Sequence, residues 1–504
     1  MSRPTFNVLH EPWIPLVRSN GEQEELGILG ALSHAHEFAA IRDLSPIVEF
    51  GLYRLLVAFL LDALVLAGRR PESKEDLQDL LIEQQWNKEL LDDYVARCGD
   101  VFDLFHPERP FLQCAATGGE EKPLAALYPG VPSGTNVILW HHEGEEEMGA
   151  TPAEAARLLA TIAPFMTAGG AGLSPSINGA PGIYALPYGD SLFTTLTLNL
   201  PMVGPSETAP NAAWCNRSVP GGERTEVTTV EALTWRPRRV LLVPPGEAEE
   251  GQVRRMRFEA GDKTRFNWID PNLAYIYQSD KTTPVRMRTG RPFWRDAGPL
   301  ALLDRSRYGR DDGKVQFCRP QVVDTAFATS ERLRGIRLYG MRTDLKMKVF
   351  EWASGILVVP CSLGRSTALG AWVQSELDLA DHGGNLVIRE VNRLHPSVQR
   401  GDRSAAPLRM ATDAERSYWQ TLEPEFYLLM DRAAAMGESG LDDPEKAAGA
   451  AQPWRDAIQR GALAAFEEAA KDLDADSDAL ERTVNARRRL SAELRKVLSH
   501  DGKP

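Results

Sequence analysis

The chain has 504 residues, 43% of them hydrophobic and 25% charged, which is too long for a single hydrophobic core and too apolar for a largely disordered chain. Its net charge of −13, taken alone, argues against a polyanionic partner. The charge is uneven, however: Trp235 to Lys348 holds 24 Lys and Arg against 14 Asp and Glu, a local excess of +10 that leaves about −23 for the rest. A basic middle inside an acidic protein suits contact with a polyanion on one face only, and chance clustering in a solvated region accounts for it equally well.

Met1 to Pro15 has neither a basic start nor a continuous apolar stretch, so no signal peptide is expected. Phe6 to Leu16 reads as a strand, Asn20-Gly21 as a turn and Glu25 to Leu29 as a returning strand. Leu44 to Gly68 has helical apolar spacing, interrupted by Glu49, Arg54 and Asp62. Its longest uncharged run, Leu55 to Leu61, is too short to span a bilayer, so it is read as a buried helix. A second helix is expected from Ser73 to Arg97, with Ser73 and Asp76 as its start signal. Gly118 to Gly149 reads as an ordered loop with an apolar run at Val137 to Trp140. Thr151-Pro-Ala-Glu154 is a capping box opening a helix to about Thr167, and the small-residue loop Ala168 to Gly182 follows. From Tyr184 to Val359 short apolar or β-branched runs (Phe193 to Leu200, Val240 to Val243, Ile356 to Val359) alternate with Gly/Pro/Asp turns. After Ser366 the spacing turns helical at Thr367 to Leu379, Glu415 to Met436, Ala447 to Leu473 and Leu480 to Leu498. The expected fold is α+β, mixed and irregular, over residues 1–362, followed by an all-α four-helix bundle over 363–504.

Cys98, Cys114, Cys215, Cys318 and Cys361 lie far apart with no C-x-x-C spacing, which argues against structural zinc. Their odd number argues against a disulfide framework and fits a reducing cytoplasm. His141-His142-Glu143 is the most metal-like string, but adjacent histidines on a strand point to opposite faces. There is no G-x-x-x-x-G-K-[ST], G-x-S-x-G, H-E-x-x-H or strand-borne G-x-G-x-x-G. No catalytic residue, metal or cofactor is assigned.

Several strings occur in order along most of the chain: Asn7 with Pro12-Trp-Ile-Pro15, Phe105-His-Pro-Glu-Arg-Pro-Phe-Leu-Gln113, Ser133-Gly-Thr-Asn136, Ser174-Pro-Ser-Ile-Asn-Gly-Ala-Pro181, Trp268-x-Asp-Pro-Asn272, Gly340-Met-Arg-Thr-Asp344 and Ala414-Glu-Arg-x-Tyr-Trp419. By these the sequence resembles the CasA family, the large subunits of type I-E CRISPR surveillance (Cascade) complexes.

The resemblance implies a non-catalytic subunit that checks the duplex flanking a target for a short motif. Gly169, Gly170 and Gly172 match the family's glycine loop, which approaches the minor groove where a side chain would hold the backbone off. Arg257 is the match for a basic finger entering that groove, with Arg255 beside it, and a narrow groove focuses negative potential on a cation. Thr343, Asp344, Leu345, Lys346, Met347 and Lys348 match the tip of a β-hairpin that wedges into the duplex, although some relatives place a glutamine there. Leu139, Trp140, His141 and His142 match a loop that meets the 5′ end of the guide RNA and the adjoining subunit, with clear departures from the family pattern. The small cysteine cluster of some relatives is missing. Composition alone also fits these strings: a helix C-cap run, an alternating strand with solvated arginines, a surface hairpin and a strand with Trp140 in the core. The partners implied are guide RNA, double-stranded target DNA, the other subunits (backbone, small-subunit dimer and handle-binding subunit) and a helicase-nuclease, with no membrane, in the cytoplasm. Two other readings are a carboxylate-dependent hydrolase and a purely structural scaffold.

Overall fold

Helix α1 (Pro46–Leu66) buries every residue from Ile47 to Val65. The three charges inside it persist because each finds a buried partner. Glu49 accepts from the Tyr339 hydroxyl at 2.5 Å, Arg54 pairs with Asp270 at 2.8 Å, and Asp62 accepts from the Tyr94 hydroxyl at 2.6 Å. An unpaired charge at these depths would cost several kcal/mol, so these pairs fix how the chain wraps the helix. No helix among the described residues is long and apolar enough to cross a membrane.

The protein is represented by a computed structural model that describes residues 4–128, 148–168, 172–216, 218–246, 250–278, 281–288, 290–303, 315–344, 349–394, 405–471, 473 and 477–499. They divide into two units. The first takes residues up to Ala274 with Pro284–Met287 and Pro320–Ile356; the second takes Tyr275–Thr283, Arg288–Arg319 and the chain from Leu357. Helix and strand are mixed, as the alternation of short runs, turns and helical spacing along the chain predicts.

In the first unit β1 (Ile14–Arg18) pairs antiparallel with β2 (Gln23–Leu26) and β3 (Phe38–Ile41). The strand expected from Phe6 begins only at Ile14. The single helix expected over Ser73 to Arg97 is two, α2 (Lys74–Glu83) and α3 (Lys88–Cys98). Gln84 turns left-handed at φ 61°, Trp86 buries against Phe193, and Asn87 caps the second helix through the Glu89 N–H at 2.8 Å. A three-residue strand, β4 (Glu121–Pro123), lies in the stretch read as loop. The capping box at Thr151 and Glu154 is present and opens α4 (Pro152–Ala160). Beyond β5 (Tyr184–Tyr188), the β-branched run near Phe193 is helix α5 (Leu192–Leu198), which is buried throughout and capped by Ser191. Its packing overrides the strand preference of its threonines.

Two further sheets carry the regions singled out in the sequence. Strand β6 (Arg238–Leu242) pairs with β7 (Arg255–Ala260), which pairs with β4 on its other side. Strands β8 (Gly335–Thr343) and β9 (Val349–Leu357) lie side by side, and β8 also pairs with β5.

Cys98 and Cys215 are joined as a disulfide, contrary to the expectation of free thiols. Their separation of 117 positions conceals that the end of α3 meets the 212–215 turn. That turn is fixed by Asp62, which accepts from the Asn211 N–H at 2.8 Å, and by the Trp214 indole donating to Tyr94 at 2.8 Å.

The second unit is built on α6 (Thr367–Asn392), α7 (Ala405–Met436), α8 (Pro444–Ala470) and α9 (Ser477–Leu498). α6 packs on the other three, and α8 contacts both α7 and α9. α6 runs well past Leu379. Gly383 and Gly384 weaken it locally but let it close on α7: a Cβ at Gly383 would stand 2.7 Å from the Tyr418 hydroxyl. Buried Glu390 gathers Arg393 at 2.7 Å and Arg389 and Arg489 at 3.1 Å, tying α9 to α6. Arg295 lies 3.4 Å over the Trp419 ring and pairs with Asp381 and Glu415.

Candidate nucleic-acid interface

Strand β7 alternates as its sequence predicts. Met256 is wholly buried, whereas the side chains of Arg255 and Arg257 are 43% and 45% exposed on the opposite face. Both reach Glu121 of β4, Arg255 at 3.2 Å and Arg257 at 3.8 Å. The register puts Arg239 of β6 opposite Glu259, which it also binds at 3.1 Å. This face therefore carries Arg239, Arg255 and Arg257 against Glu121 and Glu259. Its positive excess is small, and its cations are held in place by one exposed carboxylate, Glu121, and one partly buried, Glu259.

The other face of the same sheet is tied to the glycine loop. Arg238 of β6 donates from Nη2 to the Thr167 carbonyl at 2.8 Å and from Nη1 to the Ser174 carbonyl. Its guanidinium and the Lys122 ammonium both lie near the Phe258 ring, at 5.6 and 5.4 Å. Burial pushes the Arg238 pKa down to about 10. Gly172 has φ +88° with open space where a Cβ would stand, so its requirement for glycine is one of backbone conformation. Gly169 and Gly170 lie outside the described residues.

Thr343 ends β8 and Asp344 follows it; Leu345, Lys346, Met347 and Lys348 lie outside the described residues. The two flanking strands are neighbours in one sheet. Leu139, Trp140, His141 and His142 also lie outside the described residues. Among the described residues no His, Cys, Asp and Glu side chains gather as a metal site. A cleft lined by Arg54, Leu112, Trp235, Arg236 and Arg238 encloses about 30 Å³, room for one or two waters, against roughly 300–1,000 Å³ for an ordinary ligand site.

The strings behind the resemblance are mostly fold glue. Gln113 binds the Leu104 carbonyl and the Leu242 N–H, both at 2.7 Å; Asn178 and Arg54 meet on Asp270; Tyr418 donates to the Ala380 carbonyl at 2.8 Å. Residues 7–465 match the family model of CRISPR-associated protein Cse1. The chain belongs to the Cse1 family.

A Cse1-family relative, the CRISPR-associated protein CasA/Cse1 of Thermus thermophilus, is 30% identical over 493 residues, 92% of each chain. A crystal structure of Thermus thermophilus CasA superposes with TM-score 0.77 at 25% identity, over 97% of this chain and 100% of that one. A chain of a CRISPR RNA-guided surveillance complex has the same fold, with TM-score 0.75 at 19% identity, over 97% and 99% of the two chains.

The sequence reading missed two residues at this Cse1 face, Glu121 and Arg238. Glu121 sits in a strand too short to show periodicity. Arg238 is the buried member of Arg236-Pro-Arg-Arg239, and only strand alternation separates it from its exposed neighbour Arg239.

Proposed function

We propose that this Cse1-family chain is the non-catalytic large subunit of an RNA-guided type I-E CRISPR complex, reading a short motif in the duplex beside the target. Gly169, Gly170 and Gly172 approach the minor groove and Arg257, flanked by Arg255, enters it. The tip from Thr343 to Lys348 opens the first base pairs so that the guide RNA can form an R-loop. Leu139 to His142 meet the 5′ end of the guide. Residues 363–504, as a four-helix bundle, lie along the backbone and small subunits, and the whole subunit helps recruit the helicase-nuclease.

The observation that carries this reading is the sheet of β4, β7 and β6. One face offers Arg255 and Arg257 half exposed, while Arg238 in the adjoining strand grips both ends of the glycine loop. A loop held on one face of a small sheet and two cations on its other face suit a groove edge better than they suit a hydrolase, which needs carboxylates in a cleft.

Minor-groove readout is degenerate, because A·T and T·A pairs present similar acceptors. The assembled complex with its guide RNA, offered targets with randomised flanks, is therefore expected to select a small set of motifs. The paired change Leu345→Ala and Lys346→Ala is expected to slow R-loop formation while leaving assembly intact. A single strictly required motif contradicts minor-groove reading, and undiminished R-loop formation contradicts the wedge. Motif-independent binding that survives Gly169→Asp and Gly170→Asp points to a scaffold instead.

A further inference from the structure

Arg238 is 4% exposed and has no carboxylate partner among the described residues. Its guanidinium is used on carbonyls. Nη2 donates to Thr167 at 2.8 Å, and Nη1 donates to Pro237 at 2.9 Å and to Ser174. Nε has no partner. Burying a cation on neutral acceptors is expensive, and an apolar side chain of similar length would fill the same space at lower cost. What the arginine supplies and an apolar residue lacks is a rigid fork whose two arms hold two chain segments at a fixed separation.

Those segments are the two stems of the glycine loop. Thr167 precedes Ala168 and Ser174 follows Leu173, and a second bond, Ser176 N–H to the Met166 carbonyl at 2.8 Å, closes the same mouth. The strand that carries Arg238 runs on to Leu241, which pairs with Arg257. At about 3.3 Å per residue, Leu241 lies about 10 Å along the strand from Arg238, and Arg257 is its neighbour on β7 with its side chain on the opposite face of the sheet from the stems. Burial lowers the Arg238 pKa to about 10, which still leaves the guanidinium charged at neutral pH.

We propose that Arg238 is the positioning residue of the glycine loop, its fork holding the Thr167 and Ser174 stems against the β6–β7 sheet so that loop and arginine strand keep one spacing toward the duplex. This rests on the function proposed above. It predicts that Arg238 acts on motif discrimination and not on nucleic-acid affinity in general.

The test uses the full assembled complex with guide RNA. Its readout is the ratio of association rates for duplexes with a permissive and a non-permissive flank, beside binding to a target already opened by mismatches, which needs no flank reading. Arg238→Lys keeps the charge and loses the fork; Arg238→Met loses both. Both are expected to lower the discrimination ratio by about tenfold or more, the loss that goes with charge-assisted hydrogen bonds, while pre-opened target binding stays within about twofold. An unchanged ratio in both variants overturns the proposal. So does a wild-type ratio in Arg238→Lys with loss only in Arg238→Met, because charge alone would then suffice. Loss of assembly or of pre-opened target binding in both variants makes the residue merely structural and also overturns it. Gly170→Asp, run in parallel, separates the two levels. If it leaves the ratio intact, the loop reading itself fails; if it abolishes the ratio while both Arg238 variants keep it, only the positioning role falls.

Discussion

Arg257 lies directly opposite Glu121 in the β4–β7 pairing, and its guanidinium is 3.8 Å from the carboxylate that Arg255 reaches at 3.2 Å. Glu121 thus acts as an internal competitor for whatever anion the two arginines meet. Exposed pairs of this kind are worth about 0.2–1 kcal/mol each, so a phosphate can replace the carboxylate. Glu121→Gln is expected to raise duplex affinity about two- to fivefold at low salt. It should also steepen the dependence of log affinity on log salt by about one unit. Arg255→Ala with Arg257→Ala should act in the opposite direction. Anisotropy titrations from low to moderate salt measure both, and an unchanged slope in all variants would remove β7 from the interface.

Asp62 gives the first unit a pH dependence that the sequence does not suggest. The carboxyl is wholly buried, and burial raises its pKa to about 6 despite hydrogen bonds from Tyr94, Asn211 and Ala212. A carboxyl with a raised folded-state pKa binds its proton more tightly in the native state, so its contribution to stability falls as pH rises between the unfolded value near 4 and about 6. A shift of this size amounts to about 3 kcal/mol across that window. Denaturant unfolding of wild type and Asp62→Asn from pH 4 to pH 7 isolates the group. The difference in stability between them should change in favour of the variant by a few kcal/mol as pH rises. A constant difference would mean that Asp62 titrates in its ordinary range.

What was legible in the sequence was periodicity and capping. Long apolar spacing placed α1 and the C-terminal helices, and the Thr151 capping box placed α4, while an alternating strand at Arg255 and Arg257 was only the alternative to a basic finger. Boundaries failed where a single side chain decides them, as at Asn87, which starts a new helix in mid-pattern. At Leu192–Leu198, read only as an apolar or β-branched run, complete burial overrides the strand preference of three threonines. The counter-ions were illegible because they are long-range: Glu121 lies 134 residues before Arg255, and Asp270 lies 216 beyond Arg54. The strings that identified the family proved to mark buried tethers such as Asp270 and Tyr418, whose roles depend on the fold rather than on any one partner.

The bond between Cys98 and Cys215 belongs to that same long-range class, and it is open to direct test. It closes 117 residues of chain, and closing so long a loop restricts the unfolded ensemble most, by roughly 3–5 kcal/mol on the chain-entropy account. Cys215 also sits 3.5 Å from the Tyr94 hydroxyl, whose proton Asp62 accepts. Losing the bond therefore loosens the turn that holds a buried carboxylate. Wild-type protein is expected to unfold at a markedly lower temperature with a thiol reductant than without it. Cys98→Ser with Cys215→Ser should melt near the reduced wild type and ignore the reductant. Because the bond and Asp62 share one network, Cys215→Ser combined with Asp62→Asn should cost less than the two changes summed. Equal melting of wild type with and without reductant would mean that the two thiols remain free in solution and that Asp62 and the Trp214–Tyr94 bond fix the turn without them.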